Sequence, residues 1–521
     1  MHLTPPGRDS PNPARPHTKN PPRFGGSVTR MTILAIDVGT TGVTALLIST
    51  EATIVAKGYR EFPQHFPQEG WVEHEPSEIW DATLDACEQV LTGRDDPTAI
   101  GITNQRETLV LWDRKTLASP MKAIVWQDRR TAGICAQMRA DGHEEMVEER
   151  TGLRLDPYFT GTKITWVHDN APHIYAGIAK GATAIGTVDS YLIARLTGGK
   201  VHVTDASNAS RTLLYNLATG DWDDELCALF EVPREALPEI VASYGEVGVT
   251  DPESFRGLSL PIAGIAGDQQ AALFGQACYT PGSSKCTYGT GSFVLVNTGS
   301  ELIRSESGLL TTVAWQHPDG TREFALEGAV FVTGSAVQWL RDGLQIIETA
   351  SETEDLALSV PDSGGVVFVP ALTGLGAPDW DPHARGTILG LTRGTTRAHL
   401  VRATLEAIAY EVRDVVDVMT HESGVQLPKL AVDGGASANN FLCQTQANQL
   451  QVPVVRPTIL ETTGLGAAFL AGLGTGVWTS FEELAATWHE DARFTPGASD
   501  AKGYRRWRTA VERSKGWAAL D

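Results

Sequence analysis

The segment ILAIDVGTTGVTALLI, residues 33–48, consists of two apolar runs joined by a short acidic and glycine-rich turn. This pattern predicts two buried strands that form a hairpin, with Asp37 at the end of the first strand. The turn supplies hydroxyl and backbone N–H groups from Gly39, Thr40, Thr41 and Gly42. Such a turn can hold phosphate oxygens while the acid holds Mg²⁺ through water, or it can be an ordinary hairpin with a turn aspartate.

A second segment, CTYGTGSFVLV at residues 286–296, repeats the order of strand, Gly-Thr turn and strand. Between and after the two hairpins, short apolar runs alternate with amphipathic stretches, which indicates a mixed α/β fold. Two such hairpins about half a chain apart suggest two related halves that face one ligand. We therefore expect two domains, at 31–280 and 281–521.

Composition excludes several functional classes. The chain has 521 residues, enough for two or more domains of ~100–200 residues. Its net charge of −21 argues against nucleic acid or an anionic membrane surface as a partner. No apolar run approaches the ~18 residues of a membrane span.

Residues 1–30 are rich in Pro and lack an apolar signal region, so they are expected to be a disordered tail. The six cysteines form no C-x-x-C pair, which favours reduced thiols and a cytoplasmic location.

Three further motifs follow predicted strands. The run TNQRE at 103–107 ends in an Arg-Glu pair that can satisfy polyol hydroxyls or form an ion pair at a strand end. In GIAGDQQ, residues 264–270, Asp268 can accept a proton from an attacking hydroxyl or can cap a helix. In LAVDGGASANN, residues 430–440, the glycines let a ligand approach the backbone or form a turn that an asparagine caps. Trp126 and Phe293 are either ligand walls or core residues.

The order of these motifs resembles the FGGY family of carbohydrate kinases over 31 to about 490. YFTGTKITWVHDN, residues 158–170, is similar to the first family signature, and the stretch from Gly386 to Glu406 is similar to the second. The runs GWVEHEP, TNQRE, WQDRR and GDQQ, which begin at Gly70, Thr103, Trp126 and Gly267, resemble the branch that acts on glycerol.

The resemblance implies an actin-like ATPase (ribonuclease H-like) fold, with polyol binding in the domain at 31–280 and nucleotide binding in the domain at 281–521. It also implies transfer of the ATP γ-phosphoryl group to glycerol, giving sn-glycerol 3-phosphate. Asp268 would be the general base, and Asp37 would organise Mg²⁺. Glycerol would be bound by Arg106, Glu107, Trp126, Tyr158, Asp268, Gln269 and Phe293. The nucleotide would be bound by Thr40, Thr41, Gly42, Thr290, Gly334, Gln338, Gly435 and Asn439. A homo-oligomer, a dimer or a tetramer, is expected.

The first hairpin departs from the family pattern at Thr44. Members of the glycerol branch carry Arg at this position, and xylulose-kinase relatives carry Lys, so a basic phosphate contact is missing here. Two alternatives therefore stay open. One is a kinase of another polyol or ketose, of the xylulose or erythritol type. The other is a catalytically weakened, nucleotide-dependent sensor.

Overall fold

The computed structural model describes residues 31–520, and the tail expected for residues 1–30 lies outside them. The described residues form two large mixed sheets, each covered by helices, and five two-stranded sheets. The strands of the first half are β1 (Thr32–Val38), β2 (Gly42–Ser49), β3 (Ile54–Glu61), β4 (Glu73–His74), β5 (Ala99–Asn104), β6 (Val110–Asp113), β7 (Ala123–Ile124), β8 (Thr183–Gly186), β9 (Val203–Asp205), β10 (Tyr215–Asn216), β11 (Asp221–Trp222), β12 (Glu239–Val241), β13 (Tyr244–Val249) and β14 (Pro261–Gly267).

Helices of the first half cover its sheet and add a helical layer beside it. They are α1 (Pro76–Leu91), α2 (Ala132–Ala140), α3 (Glu144–Thr151), α4 (Thr160–Asn170), α5 (Pro172–Ala179), α6 (Val188–Leu196), α7 (Ala206–Ala209), α8 (Asp224–Leu229), a 3₁₀ turn (Arg234–Ala236) and α9 (Asp268–Gly275). Helix α1 has Pro76 in its first turn and is followed by Gly93 at φ +73°.

The second half repeats this construction. Its strands are β15 (Ser284–Tyr288), β16 (Ser292–Gly299), β17 (Leu310–Gln316), β18 (Arg322–Val330), β19 (Val367–Val369), β20 (Thr387–Leu389), β21 (Leu430–Asp433), β22 (Val454–Pro457) and β23 (Glu490–Phe494). Its helices are α10 (Gly334–Gln338), a π turn (Trp339–Gly343), α11 (Glu352–Leu358), α12 (Arg397–Ser423), a 3₁₀ turn (Gly435–Ala438), α13 (Asn440–Leu450), α14 (Thr462–Gly474), α15 (Phe481–Ala485), α16 (Ala501–Ser514) and a 3₁₀ turn (Trp517–Leu520).

The two predicted hairpins occupy equivalent places in the two main sheets. In the first sheet, ordered β13-β14-β5-β1-β2-β3, β1 pairs antiparallel with β2 and parallel with β5. In the second, ordered β17-β18-β16-β15-β21-β22-β23, β15 pairs antiparallel with β16 and parallel with β21. The mixed α/β architecture predicted from sequence is confirmed, whereas the domain boundary at 280/281 stays a prediction.

The central strands are buried on both faces. In β1 every residue but Asp37 is buried, because α1 packs on one side of the first sheet and α14 on the other. A strand covered on both faces needs a continuous apolar run, which is what residues 33–36 provide. In the part of the chain that the structure describes, no helix combines the length and apolar character required to cross a membrane. The six cysteines are buried free thiols.

Candidate active site

Two neighbouring strands deliver the principal charged residues to one edge of the first sheet. β5 and β14 run parallel, with Gly267 opposite Asn104. Because parallel strands end at the same edge, Arg106 after β5 meets Asp268 after β14. The Arg106 Nε atom lies 3.1 Å from Asp268 Oδ1. The Asp268 side chain is 28% exposed, whereas Arg106 is almost completely covered, so the carboxylate is the accessible member of the pair.

An aromatic wall stands beside this pair. The Tyr158 hydroxyl lies 3.5 Å from Arg106 Nη2. The Trp126 ring is 5.6 Å from the Tyr158 ring and 6.4 Å from the Phe293 ring, centroid to centroid. The Arg106 guanidinium lies 5.8 Å from the Phe293 ring centre. The aromatic rings of Trp126 and Phe293 therefore lie beside the polar groups of Arg106 and Tyr158. This combination suits a small polyol, which has both carbon atoms and hydroxyl groups.

Glu107 and Gln269, the other two predicted polyol ligands, are held by basic side chains. Arg211 Nε donates to Glu107 Oε1 at 2.7 Å, and Lys285 donates through Nζ to Gln269 Oε1. Burial raises the pKa of Glu107, although Arg106 and Arg211 act in the opposite direction. The structure thus brings the predicted polyol residues into one cluster.

The electrostatics of Asp268 fit a proton acceptor. Its partial burial raises its pKa, while the charges of Arg106 and Lys285 counteract part of that rise. Catalytic bases work best when their pKa approaches the operating pH, so a raised carboxylate pKa is useful here.

Asp37 lies at the end of β1, across from Thr44 on β2. Burial raises its pKa to about 8, and the negative charges of Asp268 and Glu461 add to the rise. Neighbouring acids disfavour the charged form of this carboxyl group, and a divalent cation would offset that repulsion. Oxygen ligands of this kind suit a hard cation. Among the described residues, no cluster of three or more His, Cys, Asp or Glu side chains could hold a metal. Mg²⁺ usually takes one or two carboxylates and completes its coordination with water and substrate phosphates, and the single carboxylate of Asp37 fits that pattern.

Two cavities lie near this cluster and are lined by its aromatic wall or by the second half, but not by Arg106, Glu107, Asp268 or Gln269. One, of about 610 Å³, is walled by Trp126, Tyr158 and Phe293 on one side and by Thr290 and Val332 on another. The other, of about 500 Å³, is lined by all the nucleotide-side residues predicted in the second half, namely Thr290, Gly334, Gln338, Gly435 and Asn439. Thr290, at the tip of the second hairpin, borders both cavities. Asn439 also caps α13 by accepting a hydrogen bond from the Leu442 N–H at 2.9 Å.

The first hairpin is placed differently from the second. Thr40, Thr41 and Gly42 line neither of the two cavities. Thr40 is nevertheless tied to the aromatic wall, because Trp126 Nε1 donates to its hydroxyl at 2.9 Å. Thr41 is exposed at the turn, and Gly42 is buried where a Cβ would meet the Arg60 carbonyl oxygen at 2.7 Å.

Comparison with known proteins gives this arrangement a family. The model of the N-terminal domain of the FGGY family of carbohydrate kinases matches residues 32–275, and the model of the C-terminal domain matches residues 284–475. The chain belongs to the FGGY family of carbohydrate kinases.

Among FGGY relatives, glycerol kinase 2 of Thermotoga maritima is 53% identical over 492 residues, which cover 93% of this chain and 99% of that protein. The glycerol kinase of Symbiobacterium thermophilum is 54% identical over 494 residues, covering 94% and 99%. The crystal structure of Plasmodium falciparum glycerol kinase with ADP superposes with a TM-score of 0.86 at 35% identity, covering 93% of this chain and 98% of that one. The fold is therefore the actin-like ATPase fold of the FGGY kinases.

Sequence reasoning missed several residues of this FGGY site. Lys163 lies in the first family signature without an evident role there, and no motif marks Lys285 or Arg211. Glu327 was also missed. It is an acid between apolar residues in the strand REFALEGAV, and that position indicates a buried carboxylate. A fully buried carboxylate is tolerated only when it is paired.

Proposed function

We propose that this chain is a glycerol kinase, which transfers the γ-phosphoryl group of ATP to a terminal hydroxyl of glycerol and releases sn-glycerol 3-phosphate and ADP. The observation that carries the proposal is the accessible Asp268 carboxylate, 3.1 Å from Arg106 and beside the Tyr158–Trp126 wall. The relatives at 53–54% identity over almost the whole chain, named as glycerol kinases, support the same substrate.

In this mechanism, Arg106, Glu107 and Gln269 bind the glycerol hydroxyls and orient one of them towards the triphosphate. Asp268 accepts the proton of that hydroxyl as its oxygen bonds to the γ-phosphorus and the bond to the β–γ bridging oxygen breaks. The phosphoryl group stays on glycerol, and ADP leaves with the bridging oxygen. Trp126, Tyr158 and Phe293 cover the carbon side of glycerol, which helps to exclude water as a competing nucleophile.

The nucleotide would occupy the cavity of about 500 Å³ near Gly435 and Asn439, with its phosphates directed towards Thr290. The Gly-Thr hairpins of the two halves would then approach the phosphates from opposite sides. Mg²⁺ held by Asp37 would neutralise charge on the β- and γ-phosphates when bound.

Asp268→Asn tests the base directly. The amide keeps the shape of the side chain but cannot accept the proton, so kcat should fall at least ~10²-fold while glycerol still binds. Asp319→Asn, in an exposed loop at Asp319–Thr321, is the matched control and should retain full activity. Steady-state kinetics and calorimetric binding of glycerol provide the readouts. Unchanged turnover in the Asp268 variant would remove this residue from the role of base.

The pH profile adds a second test of the same residue. The base works only when ionised, so activity should be lost as pH falls through its pKa. Because the pKa of Asp268 is raised, this acid limb of kcat/KM should lie above the ordinary range of an aspartate. An acid limb at or below the ordinary aspartate range would contradict the proposed electrostatics.

A substrate panel separates glycerol from the remaining family substrates. ADP release should be measured with glycerol, erythritol, xylulose and other ketoses at matched concentrations. We expect glycerol to give the highest kcat/KM. A pentulose that exceeds glycerol by a large factor would reject glycerol as the substrate, and ATP binding without turnover of any polyol would favour the sensor.

Assembly and location stay predictions. A dimer or a tetramer is expected, and analytical ultracentrifugation with and without glycerol would measure it. The cytoplasmic location proposed for the enzyme agrees with six free, buried thiols.

A further inference from the structure

Glu327 is an acid buried at the boundary between the two halves of the molecule. It lies in β18 of the second sheet, and its side chain is completely inaccessible to solvent. Its partners, Arg106 and Arg211, both belong to the first half. A carboxylate buried in this way is costly unless opposite charges surround it, so the two guanidiniums are a condition of its placement.

Glu327 forms a two-bond fork with Arg106 and a single hydrogen bond with Arg211. Glu327 Oε2 accepts from Arg106 Nη1 at 2.5 Å, and Oε1 accepts from Arg106 Nη2 at 3.0 Å. The same Oε1 atom accepts from Arg211 Nη2 at 2.8 Å. Burial by itself would raise the pKa of Glu327, but the two arginines lower it to about 2, so it is ionised at neutral pH.

Each arginine uses its remaining Nε atom to face an acid of the polyol site. Arg106 Nε lies 3.1 Å from Asp268, and Arg211 Nε donates to Glu107 at 2.7 Å. Glu327 is thus connected to both acids through one intermediate each. Both of its carboxylate oxygens are occupied by the two arginines, so it would act on the polyol through them.

We propose that Glu327 is a positioning residue that orients Arg106 and Arg211, and through them Asp268 and Glu107, for polyol binding. Because it is contributed by the second half, it also makes the polyol site depend on how the two halves are docked. The inference rests on the proposed kinase reaction and deepens it.

Substitution by Gln keeps the shape of the side chain and removes its charge. In Glu327→Gln we expect the KM for glycerol to rise by roughly tenfold or more, because Arg106 and Arg211 each lose a charge-assisted partner. The KM for ATP should stay within about twofold of the wild-type value, since the residues of the nucleotide cavity are untouched.

The acid limb of kcat/KM provides a readout that a purely structural role would not move. The charged groups around Asp268 are Arg106, Lys285, Glu327 and Asp37. Glu327 raises the pKa of Asp268, whereas Arg106 and Lys285 lower it. Removing the Glu327 charge should therefore shift the acid limb of Glu327→Gln to lower pH. Glu327→Asp, which keeps the charge, should raise the KM for glycerol but leave the limb at the wild-type pH.

Glu323→Gln on the same strand is the control, because Glu323 is partly exposed and contacts His317 and Asn297 away from the site. A wild-type KM for glycerol and an unmoved acid limb in Glu327→Gln would overturn the proposal. An equal rise in both KM values with an unmoved limb would do the same. If Glu327→Gln is insoluble, Glu327→Asp decides: a wild-type KM for glycerol then rejects the positioning role.

The polyol used in these assays is the one that the wild-type chain phosphorylates best in the substrate panel. Failure of the wild type to phosphorylate glycerol rejects the proposed function, whereas the comparison between variants and wild type judges Glu327 alone. The two failures are therefore distinguishable.

Discussion

At the scale of single residues, one buried ammonium joins two segments of the polyol site. Lys163 Nζ donates to the carbonyl oxygen of Glu107 at 2.9 Å and to that of Tyr158 at 2.6 Å. Thr160 also donates to the Glu107 carbonyl, at 3.0 Å. Glu107 adopts a left-handed backbone conformation, with φ +62°, which a residue with a Cβ rarely keeps without such support.

Lys163→Met should therefore weaken polyol binding. The methionine fills a similar volume but makes neither hydrogen bond, so the KM for glycerol should rise by roughly tenfold, with a smaller effect on the KM for ATP. Lys180→Met, at an exposed position just after α5, is the control and should behave as wild type. If glycerol kinetics are unaltered in the Lys163 variant, Thr160 alone is sufficient to hold the loop.

Lys163 should also leave a mark on the pH dependence of stability. Burial lowers its pKa to about 7, below the value of ~10.4 expected in the unfolded chain. Between these two values the unfolded state binds more protons than the folded state, so this residue makes stability rise with pH. Urea unfolding at several pH values between 7 and 10 should show that contribution in the wild type and its loss in Lys163→Met. Parallel curves for the two proteins would contradict the lowered pKa.

At the scale of elements, the first hairpin carries the departure from the family pattern. Thr44 on β2 stands directly opposite Asp37 on β1, and directly opposite residues of an antiparallel pair share one face of the sheet. A basic side chain at position 44 would therefore lie beside the proposed Mg²⁺ ligand and the phosphates.

Thr44→Arg should lower the KM for ATP by up to about tenfold, the size of one charge-assisted contact. Thr219→Arg adds the same charge in an exposed loop away from the site and is the control. Kinetics at low and high salt should show that the gain shrinks as salt screens the contact. An unchanged KM for ATP would mean that other residues already supply the phosphate contact.

Much of the fold could be predicted from sequence at the scale of elements, because the two strands of each hairpin are adjacent in the chain. Residues 33–48 and 286–296 combine apolar runs with a Gly-Thr turn, so sequence patterning predicts each strand pair directly. The sequence also marks Asp268 as a candidate, since this residue follows a predicted strand and begins a helix, which the structure shows as α9. The contact of Glu327 with Arg106 could not be predicted, because the two residues are 221 positions apart in the chain and meet only when the two halves pack together. Periodicity predicts the face of a strand but not the partner that covers it.

At the scale of the whole molecule, the halves are joined by close packing of helices across the chain. α14 comes from the second half in sequence, yet it packs on α9 and on the strands β5 and β14 of the first sheet. Glycines make this approach possible. A Cβ at Gly466 would lie 1.8 Å from the Ala271 carbonyl oxygen, and a Cβ at Gly101 would lie 2.1 Å from that of Ala467.

Gly466→Ala should therefore perturb stability and catalysis together. The atom that the new methyl group meets belongs to the backbone of α9, so the two helices must separate, which typically costs about 1–3 kcal/mol. Since Asp268 begins α9, that displacement should also move the base relative to Arg106 and lower kcat/KM for glycerol.

Gly133→Ala in α2 is the control, because its φ is not positive and a methyl group there would have no heavy atom within 4 Å beyond its own helix and chain neighbours. At that position the added methyl group should be neutral or stabilise by about 0.4–1 kcal/mol through the unfolded state. Thermal unfolding and kinetics of both variants give the measurement. If Gly466→Ala melts with the wild type, or loses stability with unaltered catalysis, the contact between α9 and α14 does not control the geometry of the site.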